Sequence, residues 1–553
     1  VENFEVSVLI GGRAGEGISS AGQTIAQLLA HRGYRIHMYL DYPSLIKGGH
    51  NYAIIRGANR MIGAVRNRVD FLLALNQESI ELHRQRVSPE GVILYREDAA
   101  EAPDGIGIPI KAILKEEKAP AVMGNSAMLG AFVKAAGIDW ADAEAVFRKS
   151  MPKKIESNLR IARKGYDFST ERIRIPPLPL KPLPVINGNE AIGLGLIEHD
   201  IAMYCGYPMS PTSNLLHFLA ANARDLGIRV LQPESETAAI LIALGGACAG
   251  TQAAVGTSGG GFCLMTEALG FSGIAEIPVL VVLGQRAGPS TGLATYTAQA
   301  DLQFALGAGQ ADFPRLITAP GDAEELVFWA GASLDLAWKY QLPAILLTDK
   351  ILCEGMYSLN HREEPRFRIA PFLGGNDTSP YVRYAYTESG ISPLRFPPAP
   401  GEVIRVNSHV HDADGITTED EDTTRRMAEK RMTKMQGLKD EIESMDPVHR
   451  GGERDATTAI LCWGSNRGIC EELGEKMGFR VIQPAVLWPF PELSFARAAE
   501  GVERLIAVEC NESGQLARLV RQFGFGTDDT ILKYDGRPFF VDELESLLKE
   551  AIP

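Results

Sequence analysis

"RVLQPESETAAILIALGGACAGTQAAVGTSGGGFCLM", residues 229–265, decides the fold class of this chain. RVLQPE (229–234) reads as a strand and SETAAILIALGGACAG (235–250) as a helix. QAAVGTS (252–258) reads as a second strand, and the three glycines 259–261 as a turn into another helix. Strand, helix, strand is the repeating unit of a parallel α/β sheet. The apolar run from Thr237 through Gly250 is the longest in the chain. It falls short of the ~18 residues a membrane span needs, and its Gly and Ala content predicts a buried helix.

The same alternation continues outward. GNEAIGLGLIEHD (188–200) begins a helix, and AMYCGY (202–207) is a strand that runs into YPMSPTS (207–213). PVLVVLGQ (278–285) and LPAILLTD (342–349) are further strands, so a doubly wound α/β domain is expected over 188–365. The N-terminal segment repeats the theme with FEVSVLI (4–10), a glycine-rich turn, and a helix carrying Ile18, Ala21, Ile25, Leu28 and Leu29, ended by Gly33. Strand-like runs at 52–56, 71–75 and 91–95 predict a parallel or mostly parallel sheet within a domain 1–172. Between the two lies IRIPPLPLKPLPVI (173–186), whose five prolines exclude a helix or a central strand. It reads as a stiff linker, 173–187, spanning roughly 40 Å, with a domain boundary at its end. Residues 366–450 read as a charged, partly helical connection, its helix solvated and bridging two domains. A third, smaller α/β unit, 451–553, contains TAILCWGS, FRVIQPAVL and RLIAVECN. No repeat of fixed period is visible beyond these units.

Composition narrows the function. A chain of 553 residues with 45% hydrophobic and 22% charged content is an ordinary globular protein of about two to four domains. Its net charge of −14 argues against a nucleic-acid partner. Seven scattered cysteines, odd in number and without a CxxC pair, argue against a disulfide framework and for a reducing, cytoplasmic setting. Their spacing offers no zinc or iron–sulfur ligand set. VENFEVSVLIGG lacks a basic n-region and has only a short apolar run, which predicts no signal peptide.

Glu234 and Glu236 stand where a strand passes into an almost wholly apolar helix. The helix dipole favours their charged form, and burial opposes it. Such glutamates commonly serve as first-turn caps. Here the following helix needs Gly245, Gly246 and Ala247, which points to close packing, and TSGGG (257–261) permits close backbone approach to a ligand. GGRAGEG (11–17) departs from the dinucleotide fingerprint GxGxxG, and Asp41 sits inside a loop rather than at a strand end, which argues against nicotinamide or flavin binding there.

YPMSPTS, QPESETAA, TSGGGFCLM, QRAGPSTGLATYTAQADL and LLTDKIL, in that order, resemble the alpha subunit of the 2-oxoacid:ferredoxin oxidoreductases, which use thiamine diphosphate. GGRAGEGISSAGQTIA and YPSLIKGGHNYAIIR resemble the family's gamma domain, fused here ahead of alpha. WGS, PFP, VECNESGQLARLVR and YDGRPF resemble its transketolase-like C-terminal domain. The fusion looks most like the 2-oxoglutarate enzyme. The resemblance implies three α/β domains: gamma-type, thiamine-diphosphate pyrimidine-binding and transketolase-C-terminal-like.

The resemblance also implies residue roles. Glu236, nine residues before Gly245, matches the glutamate that hydrogen-bonds the thiamine pyrimidine ring and favours the imino tautomer that takes the thiazolium C2 proton. Glu234, eleven residues before Gly245, fits less well. Tyr207, Pro208, Thr257, Ser258 and Gly259 would line the cofactor. Arg286 and Thr295 match positions that bind or support the 2-oxoacid, an arginine fork suiting its carboxylate. Ser210, where the family usually has threonine, keeps the hydroxyl and loses the methyl that fixes its orientation. Lys47 would meet the distal carboxylate of 2-oxoglutarate, with His50 adding a hydrogen bond. Asp412 resembles a position near the arginine, and Asn511 and Gln515 read as interface holders. The chain lacks a cluster-ligand cysteine set and a GDG-type diphosphate motif. A beta subunit is therefore expected to carry the [4Fe-4S] cluster, Mg2+ and the diphosphate site, in an assembly of two alpha and two beta chains. The implied reaction is CoA-dependent oxidation of 2-oxoglutarate to succinyl-CoA and carbon dioxide with electrons passing singly to ferredoxin, reversible as reductive carboxylation. Pyruvate or another 2-oxoacid is the alternative substrate, and a non-catalytic, nucleotide-binding scaffold the alternative class.

Overall fold

The computed structural model describes residues 4–44, 49–151, 153–360, 370, 371, 373, 381–400 and 402–552. It forms two compact units: Val1–Asn187 with Glu354–Asn360 and Phe539–Pro553, and Gly188–Cys353 with His361–Pro538. No helix among the described residues is long and apolar enough to cross a membrane.

The first unit is built on an eight-stranded sheet. Ile106–Ile108, Val87–Arg96, Val69–Ala74 and Glu5–Arg13 are parallel neighbours. His50–Ala58, Arg35–Asp41, Met356–Ser358 and Val185–Asn187 then extend the sheet with antiparallel pairings. The expectation of a mostly parallel sheet is corrected here. Only eight residues separate Arg35–Asp41 from His50–Ala58, too few for a crossover, so the two strands pair antiparallel, and Asp41, expected inside a loop, ends the first of them.

Helix Ile18–His31 packs its apolar stripe on this sheet. It stops where Gly33 adopts φ +91°, a left-handed backbone that glycine takes without strain. A side chain there would also strike the carbonyl oxygens of Leu178 and Leu180. The proline-rich segment lies that close because it is tied down along its length. Leu178 donates its N–H to Arg32 O at 2.8 Å, and the Arg32 guanidinium and Tyr34 hydroxyl donate to Ile175 O and Pro176 O, each at 2.9 Å. Helices Gly124–Ala135 and Ile155–Phe168 cross where Gly130 meets Ala162 and Gly165 meets Ala127, backbone against backbone. The final helix, Val541–Glu550, belongs to this unit and buries Val541, Leu544 and Leu548 in it.

The second unit contains a seven-stranded and a five-stranded sheet. In the larger, the spatial order is Val486–Trp488, Leu316–Thr318, Pro343–Asp349, Val279–Gln285, Ala253–Ser258, Met203–Gly206, Arg229–Leu231. All neighbours are parallel except the first pair. Its core strands are nearly uniformly apolar because helices cover both faces. The chain leaves Met203–Gly206 toward one edge, returns to Ala253–Ser258 on the other side, and continues outward from there. These two strands flank the topological switch point, the place where ligands bind in open α/β sheets.

Helix Glu421–Ser444 corrects a second expectation. It is not a solvated bridge, since Met427, Lys430, Lys434, Leu438 and Ile442 form a buried seam. Both lysines converge on Glu276: Lys430 Nζ at 2.6 and 2.9 Å from its two oxygens, Lys434 Nζ at 2.6 Å. Arg383 adds a third nearby cation and donates to the Glu276 backbone oxygen at 2.8 Å. One carboxylate therefore serves three cations. Their charge holds the Glu276 carboxyl well below the usual range despite its burial. Burial, with Lys430 and Arg383 adding to it against the pull of Glu276, pushes Lys434 down to about 8.

Candidate active site

Tyr207, Pro208, Ser210, Thr257, Ser258 and Gly259 lie at the carboxyl ends of the two switch-point strands, and Glu236 and Arg286 follow the strands beside them. Met203–Gly206 delivers Tyr207–Thr212, Ala253–Ser258 delivers Gly259–Gly261, and Arg229–Leu231 leads through residues 232–235 to Glu236. Ser235 caps the helix Glu236–Cys248 by accepting the Ala238 N–H at 3.2 Å. This fixes the first turn and turns the Glu236 side chain inward. Glu236 is 6% exposed and Glu234 is exposed, which separates the two carboxylates. Glu236 forms no ion pair among the described residues.

The three glycines are not a turn. They are the first turn of the helix Gly259–Ala275. Their lack of side chains has a specific use. A Cβ on Gly261 would lie 2.2 Å from Thr257 Oγ1 and 2.8 Å from Glu236 Oε1, so Gly261 is the bed on which the Glu236 carboxylate rests. A Cβ on Gly259 would lie 2.7 Å from Asp301 Oδ2. Thr257 and Ser258 are fully buried, Tyr207 and Pro208 are exposed, and Thr295 is buried in the loop beyond Val279–Gln285.

Arg286 follows that strand directly and donates Nη1 to Ser210 O at 3.4 Å. The stiff YPMSPTS turn thus meets the arginine through its backbone. Pro211 and Thr212 pack on the bare face of Gly284, which lets the turn approach the strand. Burial lowers the Arg286 pKa, against the pull of Asp301. Burial also pushes the Asp301 carboxyl up to about 6, with Arg286 opposing. Three buried polar atoms here have no hydrogen-bond partner: Ser258 Oγ, Arg286 Nε and Asp301 Oδ2. Buried polar groups are nearly always satisfied, so orphans gathered at a switch point describe a place shaped for a polar ligand.

The loop carrying Thr295 and Asp301 is held from behind. Gln299 donates to Trp463 O at 2.6 Å and accepts from Asn466 Nδ2 at 2.8 Å and the Cys510 N–H at 3.0 Å. Gln515 donates to Ala300 O at 2.8 Å and accepts the Gln303 N–H at 3.0 Å. Asn511 accepts the N–H groups of Ser513, Gly514 and Gln515. Asp412 uses its carboxylate on its own turn, accepting from the Asp414 and Ile416 N–H groups. His50 lies in the first unit, 2.7 Å from His83 between ring nitrogens. Lys47 lies outside the described residues. Asp301 and Gln299 were not singled out in the sequence. An aspartate before LQFAL reads as a helix cap, and a glutamine carries no chemical signal of its own.

Comparisons with known proteins identify the family. A family described as pyruvate flavodoxin/ferredoxin oxidoreductase, thiamine diphosphate-binding, matches residues 195–433. One described as pyruvate ferredoxin/flavodoxin oxidoreductase matches residues 7–168. The alpha subunit of 2-oxoacid:ferredoxin oxidoreductase 2 from Aeropyrum pernix is 30% identical over 99% of this chain and 98% of its own length. The alpha subunit from a Sulfolobus species is 29% identical over 99% and 97%. The 2-oxoglutarate:ferredoxin oxidoreductase from Magnetococcus marinus, solved with 2-oxoglutarate, coenzyme A and succinyl-CoA bound, matches with a TM-score of 0.91 at 27% identity, over 99% of this chain and all of that one. Fold and family matches define a subunit of a thiamine-diphosphate-binding oxidoreductase. Within that class, the chain belongs to the alpha subunits of the 2-oxoacid:ferredoxin oxidoreductases.

Proposed function

We propose that this alpha subunit serves a 2-oxoglutarate:ferredoxin oxidoreductase. 2-Oxoglutarate, coenzyme A and two oxidised ferredoxins give succinyl-CoA, carbon dioxide, a proton and two reduced ferredoxins. The observation that carries the reading is Glu236, buried, without a cation partner among the described residues, and bedded on Gly261 at the switch point. The site fits the family's cofactor on its own terms, through that bed and the orphaned polar atoms beside it. Thiamine diphosphate, when bound, supplies a carbon nucleophile and an electron sink for decarboxylation.

This chain's residues do the rest. Glu236 would hold the pyrimidine ring by a hydrogen bond and share a proton with it, and Thr257, Ser258 and Gly259 would wall that ring, with Tyr207 and Pro208 at the open rim. Arg286 and the Ser210 hydroxyl take the carboxylate and keto oxygen of the 2-oxoacid, Thr295 supports them, and Asp412 belongs to the arginine's surroundings. Lys47 and His50 read the distal carboxylate, which pyruvate lacks. A beta subunit brings the diphosphate site, Mg2+ and the [4Fe-4S] cluster, and two alpha and two beta chains assemble. Support for a partner comes from the exposed apolar side chains Leu231, Leu241, Ile242 and Leu264 on the elements around Glu236. Support for the substrate comes from the Magnetococcus marinus enzyme and from a Mycobacterium tuberculosis relative named 2-oxoglutarate oxidoreductase subunit KorA, 27% identical over 75% of this chain and 66% of its own length.

A second reading, broader 2-oxoacid specificity, is favoured by the family descriptions, which name pyruvate, and by the relatives named only for 2-oxoacids. Both are tested by purifying the chain with its beta subunit, recording the visible spectrum and thiamine content, and assaying ferredoxin reduction across 2-oxoacids. A preference for 2-oxoglutarate supports the first reading, and a preference for pyruvate replaces it with the second. A colourless chain that binds only nucleotide removes both. In the assembled enzyme, Glu236→Gln should lower turnover by at least about 100-fold with the thermal transition unchanged, and near-normal turnover would refute the assignment.

A further inference from the structure

A cavity of about 570 Å3 lies in the second unit, away from the switch point, between the helix Ala323–Tyr340 and the elements around the strand Arg480–Pro484. Arg450, Arg454, Arg480 and Arg497 all line it. Four guanidinium groups around one concavity stand out in a chain of net charge −14.

Of the three carboxylates in the lining, Glu325 and Asp446 are engaged, and the exposed Glu500 forms no ion pair among the described residues. Glu325 is held by Arg467 at 2.7 Å and by the Gly321 N–H at 2.7 Å. Asp446 lies 3.5 Å from Arg450, and His449 pairs with Glu471. Arg454, Arg480 and Arg497 have no carboxylate partner among the described residues. Arg480 is 9% exposed and fixed in place, donating Nη1 to Ala498 O and Glu500 O at 2.9 and 2.7 Å. Its buried Nε has no partner at all. Four guanidinium groups share the lining with three carboxylates, one of which is already held by Arg467, so positive charge is in excess there.

We propose that this cavity binds a small polyphosphate-bearing ligand. Guanidinium forks match phosphate oxygens in pairs, and the volume is that of a small-molecule site. The negative chain disfavours a nucleic-acid strand, and Trp329 with Val448 gives the wall an apolar side for an attached organic group. The site also has a route to the catalytic centre. Arg467, which grips Glu325 at the cavity wall, directly follows Trp463–Asn466, the residues that hold Gln299 behind the loop of Thr295 and Asp301. The ligand is therefore an effector of 2-oxoacid binding rather than a reactant.

The test uses the assembled enzyme saturated with thiamine diphosphate, titrated calorimetrically with inorganic pyrophosphate and with ATP. Binding in the sub-millimolar range is expected, weakened by about 10-fold or more in the Arg454→Ala/Arg497→Ala double variant and further by Arg454→Glu. Ligand-free turnover of the variants should stay at the wild-type value, while the ligand's effect on the KM for the 2-oxoacid disappears. No binding at millimolar ligand, or binding that the double variant leaves intact, would overturn the site. A bound ligand without effect on KM would overturn the effector role.

Discussion

Asp301 sits against the helix-starting Gly259 with Arg286 close enough to act on its charge. Its carboxyl, raised to about 6 by burial, gives the site a titration inside the working range. Once ionised, Asp301 competes with the substrate carboxylate for Arg286. The KM for the 2-oxoacid should therefore rise as pH rises through about 6, and Asp301→Asn should flatten that limb in steady-state assays. The stability sign follows the same proton. The folded carboxyl holds its proton above the pKa of a free aspartate, so its contribution is full at acid pH and is lost as pH climbs through about 6. Urea titrations at several pH values, compared with Asp301→Asn, check it. At this scale the sequence was partly legible. Glu236 declares itself through its place before an apolar, glycine-marked helix, whereas Asp301 and Gln299 acquire meaning only when distant segments meet.

Two helix contacts carry predictions of their own. Gly165 and Gly130 let the helices Ile155–Phe168 and Gly124–Ala135 touch through their backbones, with a Cβ on Gly165 meeting Ala127 O at 1.9 Å. Gly165→Ala should destabilise the first unit by about 1–3 kcal/mol or more, read from its denaturation midpoint. Removing the Glu276 carboxylate leaves the ammonium groups of Lys430 and Lys434 buried beside Arg383 with no counter-charge. Glu276→Gln should then cost about 3–5 kcal/mol in the second unit, seen as an early unfolding transition. The helix Glu421–Ser444 shows why its burial was hidden: two of the five seam positions are lysines, so an apolar stripe of period 3.6 is broken in the letters while intact in space. The hairpin of the first sheet was missed for a related reason. Strand runs can be read locally, but direction depends on whether a connection is long enough to cross over.

The first unit draws on three separated stretches of chain. Its last contribution buries Phe539, Phe540, Val541, Leu544 and Leu548, and Val541 donates its N–H to Val65 O at 3.1 Å. At roughly 1.5–3 kcal/mol per buried side chain, before the opposing entropy of ordering the segment, its burial is a large term in this unit's stability. Truncation after Pro538 should unfold the first unit while the second keeps its transition, resolved by limited proteolysis with fragment mass analysis. Nothing in the sequence of 539–553 announces that allegiance, since its helix would look the same packed on either unit. The discontinuity also sets an order of events during synthesis. The ribosome makes residues 1–187 first, yet Met356–Ser358 and Val541–Glu550 emerge only later. At translation speeds of about 5–20 residues per second, the nascent N-terminal sheet waits on the order of tens of seconds with apolar surface uncovered, a natural client for a chaperone.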